Sequence, residues 1–181
     1  MKLRPAALED LAAIQAIYGH HVRHGLGTFE EVPPSLQDIA QRHAAVCGKG
    51  LPWLVAEVEG EVKGYAYAGP FRPRAAYRYT VEDSVYVAPD AVGRGLGKAL
   101  LAAVIGECEA LGLRQMVAVI GDSGNAGSIG LHRACGFEFK TAVDAVGWKF
   151  GRWVDVVWMQ RALNGGAASA PNAPGLQLGG G

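Results

Sequence analysis

A glycine-rich turn set between an alternating strand and an unbroken helical stretch constrains this chain more than any other feature. Asp83-Ser84-Val85-Tyr86-Val87 alternates and closes at Ala88-Pro89-Asp90. Val92-Gly93-Arg94-Gly95-Leu96-Gly97-Lys98 follows, and from Lys98 to Ile105 the residues carry a helical pattern with no breaker. A strand, a glycine turn and a helix in that order aim several backbone N–H groups and the positive end of a helix dipole at one point. An anion is the natural occupant, and a pyrophosphate fits best.

Two familiar phosphate motifs fail on their letters. A Walker A loop needs a glycine where Val92 stands and a hydroxyl where Ala99 stands. A dinucleotide fingerprint has a different final glycine spacing and an acidic residue further along, and Gln115 and its neighbours offer no carboxylate. What remains is a pyrophosphate loop without a metal.

At 181 residues the chain suits one domain with a sizeable core. Its 17 basic and 17 acidic side chains balance, which argues against nucleic acid or a membrane surface as a partner. No apolar run approaches the roughly 20 residues of a membrane span. Met-Lys-Leu-Arg-Pro leads into no signal sequence, so a cytoplasmic location is expected. Cys47, Cys108 and Cys135 are odd in number and irregularly spaced, fitting neither a disulfide framework nor a zinc site. His20, His21, His24 and His43 have no metal-ligand company and read as structural, so no metal is expected.

The spacing predicts a short strand at Met1–Pro5 and a helix carrying Leu8, Leu11, Ile14, Ile17 and Val22. Ser35 and Asp38 form a capping-box pattern ahead of Leu36, Ile39, His43 and Val46. Strands follow at Trp53–Glu57 and Val62–Ala68 around the turn Val58-Glu59-Gly60-Glu61. A longer strand is expected from Arg78 to Val87, then a helix to Leu111, a strand at Gln115–Ile120, and a short helix at Asn125–Cys135. Thr141–Lys149 and Arg152–Gln160 suggest a hairpin. From Asn164 the composition shifts to Gly, Ala, Ser and Pro, so residues 1–163 are expected to form the domain and 164–181 a disordered tail. The order implies an α/β domain with a mixed sheet.

Glu82 is the leading candidate for moving a proton. Strand alternation places it with Ser84 and Tyr86 on one face, and puts Val81, Asp83, Val85 and Val87 on the other. A half-buried carboxylate has a raised pKa, as a base working near neutral pH requires. Arg72 and Arg74, just ahead of this strand, supply guanidinium groups suited to a carboxylate or a tetrahedral anion. Pairing of Glu82 with an arginine, or a merely solvated basic loop, are the plainer readings of these residues.

Gly95-Leu96-Gly97 resembles the second half of the acetyl-coenzyme A loop of the GNAT N-acetyltransferases, usually written Gln/Arg-x-x-Gly-x-Gly/Ala, although Val92 departs from it. Thr28-Phe29-Glu30, Ala76 to Val87, Ala118-Val119-Ile120-Gly121 and Asn125-x-x-Ser128 are similar to the phosphinothricin and methionine sulfoximine N-acetyltransferases within that superfamily. So are Leu131-His132-x-x-x-Gly136-Phe137 and Lys149-Phe150-Gly151-x-Trp153-x-Asp155, and the resemblance runs from Leu3 to about Leu163.

The resemblance implies a GNAT-type, mostly antiparallel sheet flanked by helices. It implies acetyl-coenzyme A as co-substrate, a small amino-acid-like amine as acceptor, and direct attack in a ternary complex. Glu82 would act as general base, with His132 a catalytic residue where many of these enzymes carry a tyrosine acid. Val85, Tyr86 and Val87 would meet the pantetheine arm, with main-chain N–H groups of a bulged strand around Tyr86 stabilising the oxyanion. Gly93, Arg94, Gly95, Leu96, Gly97 and Lys98 would surround the pyrophosphate, and Asn125 and Ser128 would lie near the thioester. Phe29, Glu30, Arg72, Arg74 and Tyr77 would line the acceptor pocket. Trp148, Phe150, Trp153 and Trp158 crowd the last hairpin as core or interface, and the resemblance implies a homodimer. A peptide N-terminus as acceptor and a non-catalytic acyl-coenzyme A sensor are the rival readings.

Overall fold

Val58-Glu59-Gly60-Glu61 closes a two-residue hairpin between strands β2 (Trp53–Val58) and β3 (Glu61–Pro70), with Glu59 at φ 54° and Gly60 at φ 83°. Two consecutive left-handed residues match the right-handed twist of the flanking strands. The remaining strands are β1 (Lys2–Pro5), β4 (Thr80–Val87), β5 (Gln115–Gly121), β6 (Glu138–Lys149) and β7 (Arg152–Ala162). They form one seven-stranded sheet in the order β1-β2-β3-β4-β5-β7-β6, antiparallel at every pairing except β4 with β5. This computed structural model describes residues 1–178, and residues 179–181 of the expected tail lie outside the described residues.

Four helices cover the sheet: α1 (Leu11–His24), α2 (Leu36–Cys47), α3 (Leu96–Ala110) and α4 (Ala126–Ala134). Ser35 caps α2 as its letters demand: its hydroxyl accepts from Asp38 N at 3.1 Å, and Asp38 Oδ2 accepts from Ser35 N at 2.8 Å. In α3 the residues Leu96, Leu100, Leu101, Val104, Ile105 and Cys108 are buried, one stripe at helical spacing. Each such leucine contributes about 1.5–3 kcal/mol of burial.

Paired residues show which helix covers which face. A Cβ at Gly64 would meet Leu100 of α3 at 3.2 Å, and Gly64 pairs with Val87, so Val81, Asp83, Val85 and Val87 face α3. Tyr86 meets Tyr18 of α1 with ring centroids 5.0 Å apart, so Glu82, Ser84 and Tyr86 face α1. The alternation read from the sequence holds along β4.

Three local readings are corrected. Leu8 sits in a 3-10 turn and α1 begins at Leu11. The strand expected from Arg78 begins at Thr80, because Tyr77 and Arg78 donate their amides to Arg74 and Ala75 carbonyls in another 3-10 turn. Strand β4 carries no bulge against β3: the register runs unbroken from Gly64↔Val87 to Pro70↔Val81.

Residues 164–178 lie against the domain. Buried Arg114 donates to Gly166 O from Nε at 2.9 Å and to Ser169 O from Nη2 at 3.0 Å. Tyr79 donates to Ala173 O at 2.8 Å, Leu176 N donates to Arg78 O, and the Leu176 side chain joins the core. Truncation after Leu163 therefore strands a buried guanidinium, and we expect a loss of about 1–3 kcal/mol in urea unfolding. An unchanged unfolding midpoint would show that the tail adds nothing.

Candidate active site

Strands β4 and β5 pair over three residues only: Thr80↔Gln115, Val81↔Met116 and Glu82↔Val117. Beyond that point β5 stays bonded to β7 and β4 to β3, and the sheet opens between them. The edge of β4 from Asp83 onward pairs with no strand among the described residues, so its main-chain groups are available to an extended ligand. A cleft of about 1050 Å³ fills the opening.

The glycine turn forms one end of this cleft. Gly93 and Gly95 have φ values of 80° and 81°, a conformation only glycine adopts without strain, and a Cβ on either would meet no atom within 4 Å. Helix α3 begins at Leu96, two residues earlier than its sequence pattern, and its first intrahelical bond here is Ala99 N to Gly95 O. The amides of Leu96, Gly97 and Lys98 therefore have no helical acceptor and point out of the helix end. Gly93, Gly95, Leu96, Gly97 and Lys98 line the cleft, whereas Arg94 is exposed outside it.

Val85, Tyr86 and Val87 form the β4 wall, and Asn125 and Ser128 lie opposite. Asn125 is committed as the cap of α4, its Oδ1 accepting from Ser128 N at 3.1 Å. His21 lies 2.9 Å from Val87 O through Nε2, which must carry the proton because a carbonyl only accepts. Burial lowers the His21 pKa, so the ring stays neutral while holding that carbonyl.

Glu82 stands where the strands part, half-buried and in no ion pair among the described residues. Burial raises its pKa most, the neighbouring Asp83 raises it further, and the Arg72 charge partly opposes them. Asp83 faces the other way and meets His132 on α4, Oδ2 to Nε2 at 3.0 Å. The other ring nitrogen, Nδ1, lies 2.7 Å from Ser128 O. Both nitrogens face oxygen acceptors, and only an imidazolium donates to both. Burial alone lowers the His132 pKa, but the hydrogen bond and charge of Asp83 outweigh it and the net shift is upward. His132 is 4% exposed, and neither of its N–H groups is free for the cleft, so the structure holds it as a fixed cation.

The residues read as an acceptor pocket do not all converge. Glu30 is bound by Arg42 through two bonds of 2.7 and 3.2 Å and accepts from Tyr18 OH at 2.9 Å, which ties the α1–α2 loop to both helices. Phe29 packs on Gly121 and Gly147 outside the cleft lining. Arg72 lies over the Phe71 ring at 4.6 Å, close enough for its charge to act on Glu82, while Arg74 is exposed. Tyr77 joins Phe71 and Trp158 in edge-to-face contact around a second cavity of about 300 Å³. Thr80, Val117 and Gln160 also line it, and strand alternation puts it on the Glu82 face. Sequence reading missed Trp158 in this role, because a tryptophan in a hairpin reads first as core.

The sequence matches the profile of the Acetyltransferase (GNAT) family over residues 16–137. It is 55% identical over 163 residues to a phosphinothricin N-acetyltransferase of Alcaligenes faecalis, covering 90% of this chain and 83% of the relative. An L-methionine sulfoximine/L-methionine sulfone acetyltransferase of Pseudomonas aeruginosa is 46% identical, covering 90% of this chain and 94% of the relative. A solved GNAT superfamily phosphinothricin acetyltransferase from Sinorhizobium meliloti, in complex with AcCoA, superposes with a TM-score of 0.92 at 49% identity. That alignment covers 94% of this chain and 92% of the other.

The Asp83–His132 pair sets a pH dependence. A histidine whose folded pKa lies above its unfolded value of about 6.5 contributes stability that is full below that value. The contribution is lost as pH rises through the raised folded pKa. Asp83→Asn leaves burial in control, so the His132 ring should titrate below the ordinary histidine range by NMR, and this loss of stability with rising pH should vanish. A raised pKa surviving in the variant would remove Asp83 as its cause.

Proposed function

The chain belongs to the acetyltransferase (GNAT) family, and from that membership we propose a specific acceptor for its acetyl-coenzyme A-dependent N-acetylation. The acceptor is the amino group of a small amino-acid-like substrate of the phosphinothricin, methionine sulfoximine or methionine sulfone type, as the names of the relatives suggest. The observation that carries the reading is Glu82: a desolvated carboxylate, free of any ion pair among the described residues, at the mouth of a cleft suited to the cofactor.

The cleft fits acetyl-coenzyme A on two counts: the free first-turn amides of α3 above an unobstructed glycine turn, and the unpaired edge of β4. Residues from Gly93 to Lys98 would hold the pyrophosphate, Val85 to Val87 the pantetheine arm, and Asn125 and Ser128 the wall beside it. When bound, acetyl-coenzyme A supplies the thioester carbonyl that the amine attacks; the C–S bond breaks, and the coenzyme A thiolate leaves and takes up a proton. Glu82 takes the ammonium proton, directly or through one water, and its raised pKa makes it a stronger base than an exposed carboxylate. His132, gripped by Asp83, forms a buried ion pair with it on the opposite face of β4. The second cavity, with Phe71, Tyr77 and Trp158, takes the acceptor side chain, and Arg72 at its rim pairs with an anionic group.

We assign Cys47, Cys108 and Cys135, all free thiols, to a reducing compartment, in keeping with a cytoplasmic enzyme. Strand β6 supports a homodimer. It is the sheet edge, and the stretch Glu138 to Val146 is exposed on both faces, with Phe139, Val143 and Val146 uncovered. An edge strand uncovered from Glu138 to Val146 is a template for pairing. We expect a dimer in sedimentation, and the pair Val143→Glu and Val146→Glu should shift it to monomer. A wild-type monomer at assay concentration would overturn the assignment.

The deciding assay is coenzyme A release from acetyl-coenzyme A with methionine sulfoximine, methionine sulfone, phosphinothricin, ordinary amino acids, spermidine and a short peptide. Saturable turnover should be confined to the first three. Glu82 must be ionised to accept a proton, so kcat/KM should fall as pH drops below its raised pKa. Glu82→Gln should lower kcat by about 10²–10⁴-fold and flatten that acidic limb. Turnover with peptide or spermidine alone would overturn the acceptor, and an unaltered profile in the variant would overturn the base.

A further inference from the structure

Lys149 is 1% exposed, near the end of an otherwise largely uncovered strand. Its ammonium forms no ion pair among the described residues. Nζ donates instead to Gly25 O at 2.9 Å and to Thr28 O at 2.7 Å, and lies 4.9 Å from the centroid of the Phe150 ring. Burial pulls its pKa below the ordinary lysine range, a cost that no feature of the sheet requires. What requires the ammonium is a pair of carbonyls in the α1–α2 loop, a segment with no helix or strand of its own to satisfy them.

The same hairpin grips the loop a second time. A Cβ at Gly147, two residues before Lys149, would overlap the Phe29 ring, and one at Gly121 would overlap Leu26 O. Between them, Lys149, Gly147 and Gly121 hold residues 25, 26, 28 and 29. Gly25, Leu26, Gly27 and Thr28 are also a wall of the large cleft, facing Asn125.

We propose that Lys149 is a positioning residue for acetyl transfer: through the carbonyls of Gly25 and Thr28 it fixes the loop wall of the cleft in which Glu82 meets the amine. This rests on the acetyl-transfer reading given above. Lys149 itself touches neither reactant. It acts by making the β6–β7 hairpin and the active-site loop one mechanical unit.

The test pairs two variants of the full chain with hydrogen–deuterium exchange and steady-state kinetics. Lys149→Met keeps the volume of the stem and deletes the donors. Gly147→Ala pushes Phe29 off its seat and leaves Lys149 intact. Both should speed exchange at residues 25–29 and raise KM for the amine by about tenfold, since hydrogen bonds from a charged donor are lost or strained. Acetyl-coenzyme A affinity should change by less than about threefold, because neither substitution alters the α3 amides that supply most of the grip.

Unchanged exchange at 25–29 in Lys149→Met, or faster exchange with an unaltered KM, would overturn the proposal. If Lys149→Met does not fold, a wild-type KM in Gly147→Ala does the same. If the unmodified protein acetylates none of the amines, the functional reading is what fails. Lys149 is then judged by the loop protection that acetyl-coenzyme A induces: its loss in Lys149→Met supports the coupling, and its persistence ends it.

Discussion

The parting of β4 from β5 is the constraint on which the rest depends. Three paired residues lock the two strands, and each then follows a different neighbour: β4 keeps its full register with β3, and β5 keeps its own with β7. A parallel pair that stops early leaves one strand edge open inside the molecule, where an open edge is ordinarily intolerable. Glu82, the free β4 edge, the glycine turn and the start of α4 are arranged around that opening. Glu82 is the last residue of β4 paired with β5, the free edge begins one residue later, and the glycine turn with α3 closes the far end.

Buried charge in this protein holds irregular backbone and a catalytic neighbourhood. Lys149 satisfies carbonyls of the loop between α1 and α2, and Arg114 satisfies carbonyls of the C-terminal segment. Asp83 and His132 neutralise each other directly behind Glu82, on the opposite face of the same strand. One strand thus carries a free carboxylate towards α1 and a paired one towards α3. The difference in their surroundings, and not in their chemistry, separates their roles.

Much of the fold was legible in local letters, because those elements are decided locally. The Ser35 capping box, the Glu59-Gly60 turn and the alternation along β4 each involve residues within a few positions of one another. The pairing of Asp83 with His132 joins residues 49 apart, and no spacing rule reaches that far. Glu30 was placed in the acceptor pocket by resemblance, and its two bonds to Arg42, one helix away, are equally beyond local reading. The contacts of residues 166–176 with Arg114, Tyr79 and Arg78 are equally out of reach of composition, which counts side chains and not backbone carbonyls.

Strand β7 lies between β5 and β6, and residues 164 to 176 reach back to Arg114 and Arg78 at the foot of β5 and β4. Synthesis proceeds in the opposite sense: β5 leaves the ribosome with one edge bare and its guanidinium without acceptors, well before the segments that cover them exist. The domain cannot close progressively from β1, because its centre is completed by segments that follow β5 in the chain. Its exposure to proteases and to other nascent chains therefore lasts until those segments have emerged and docked.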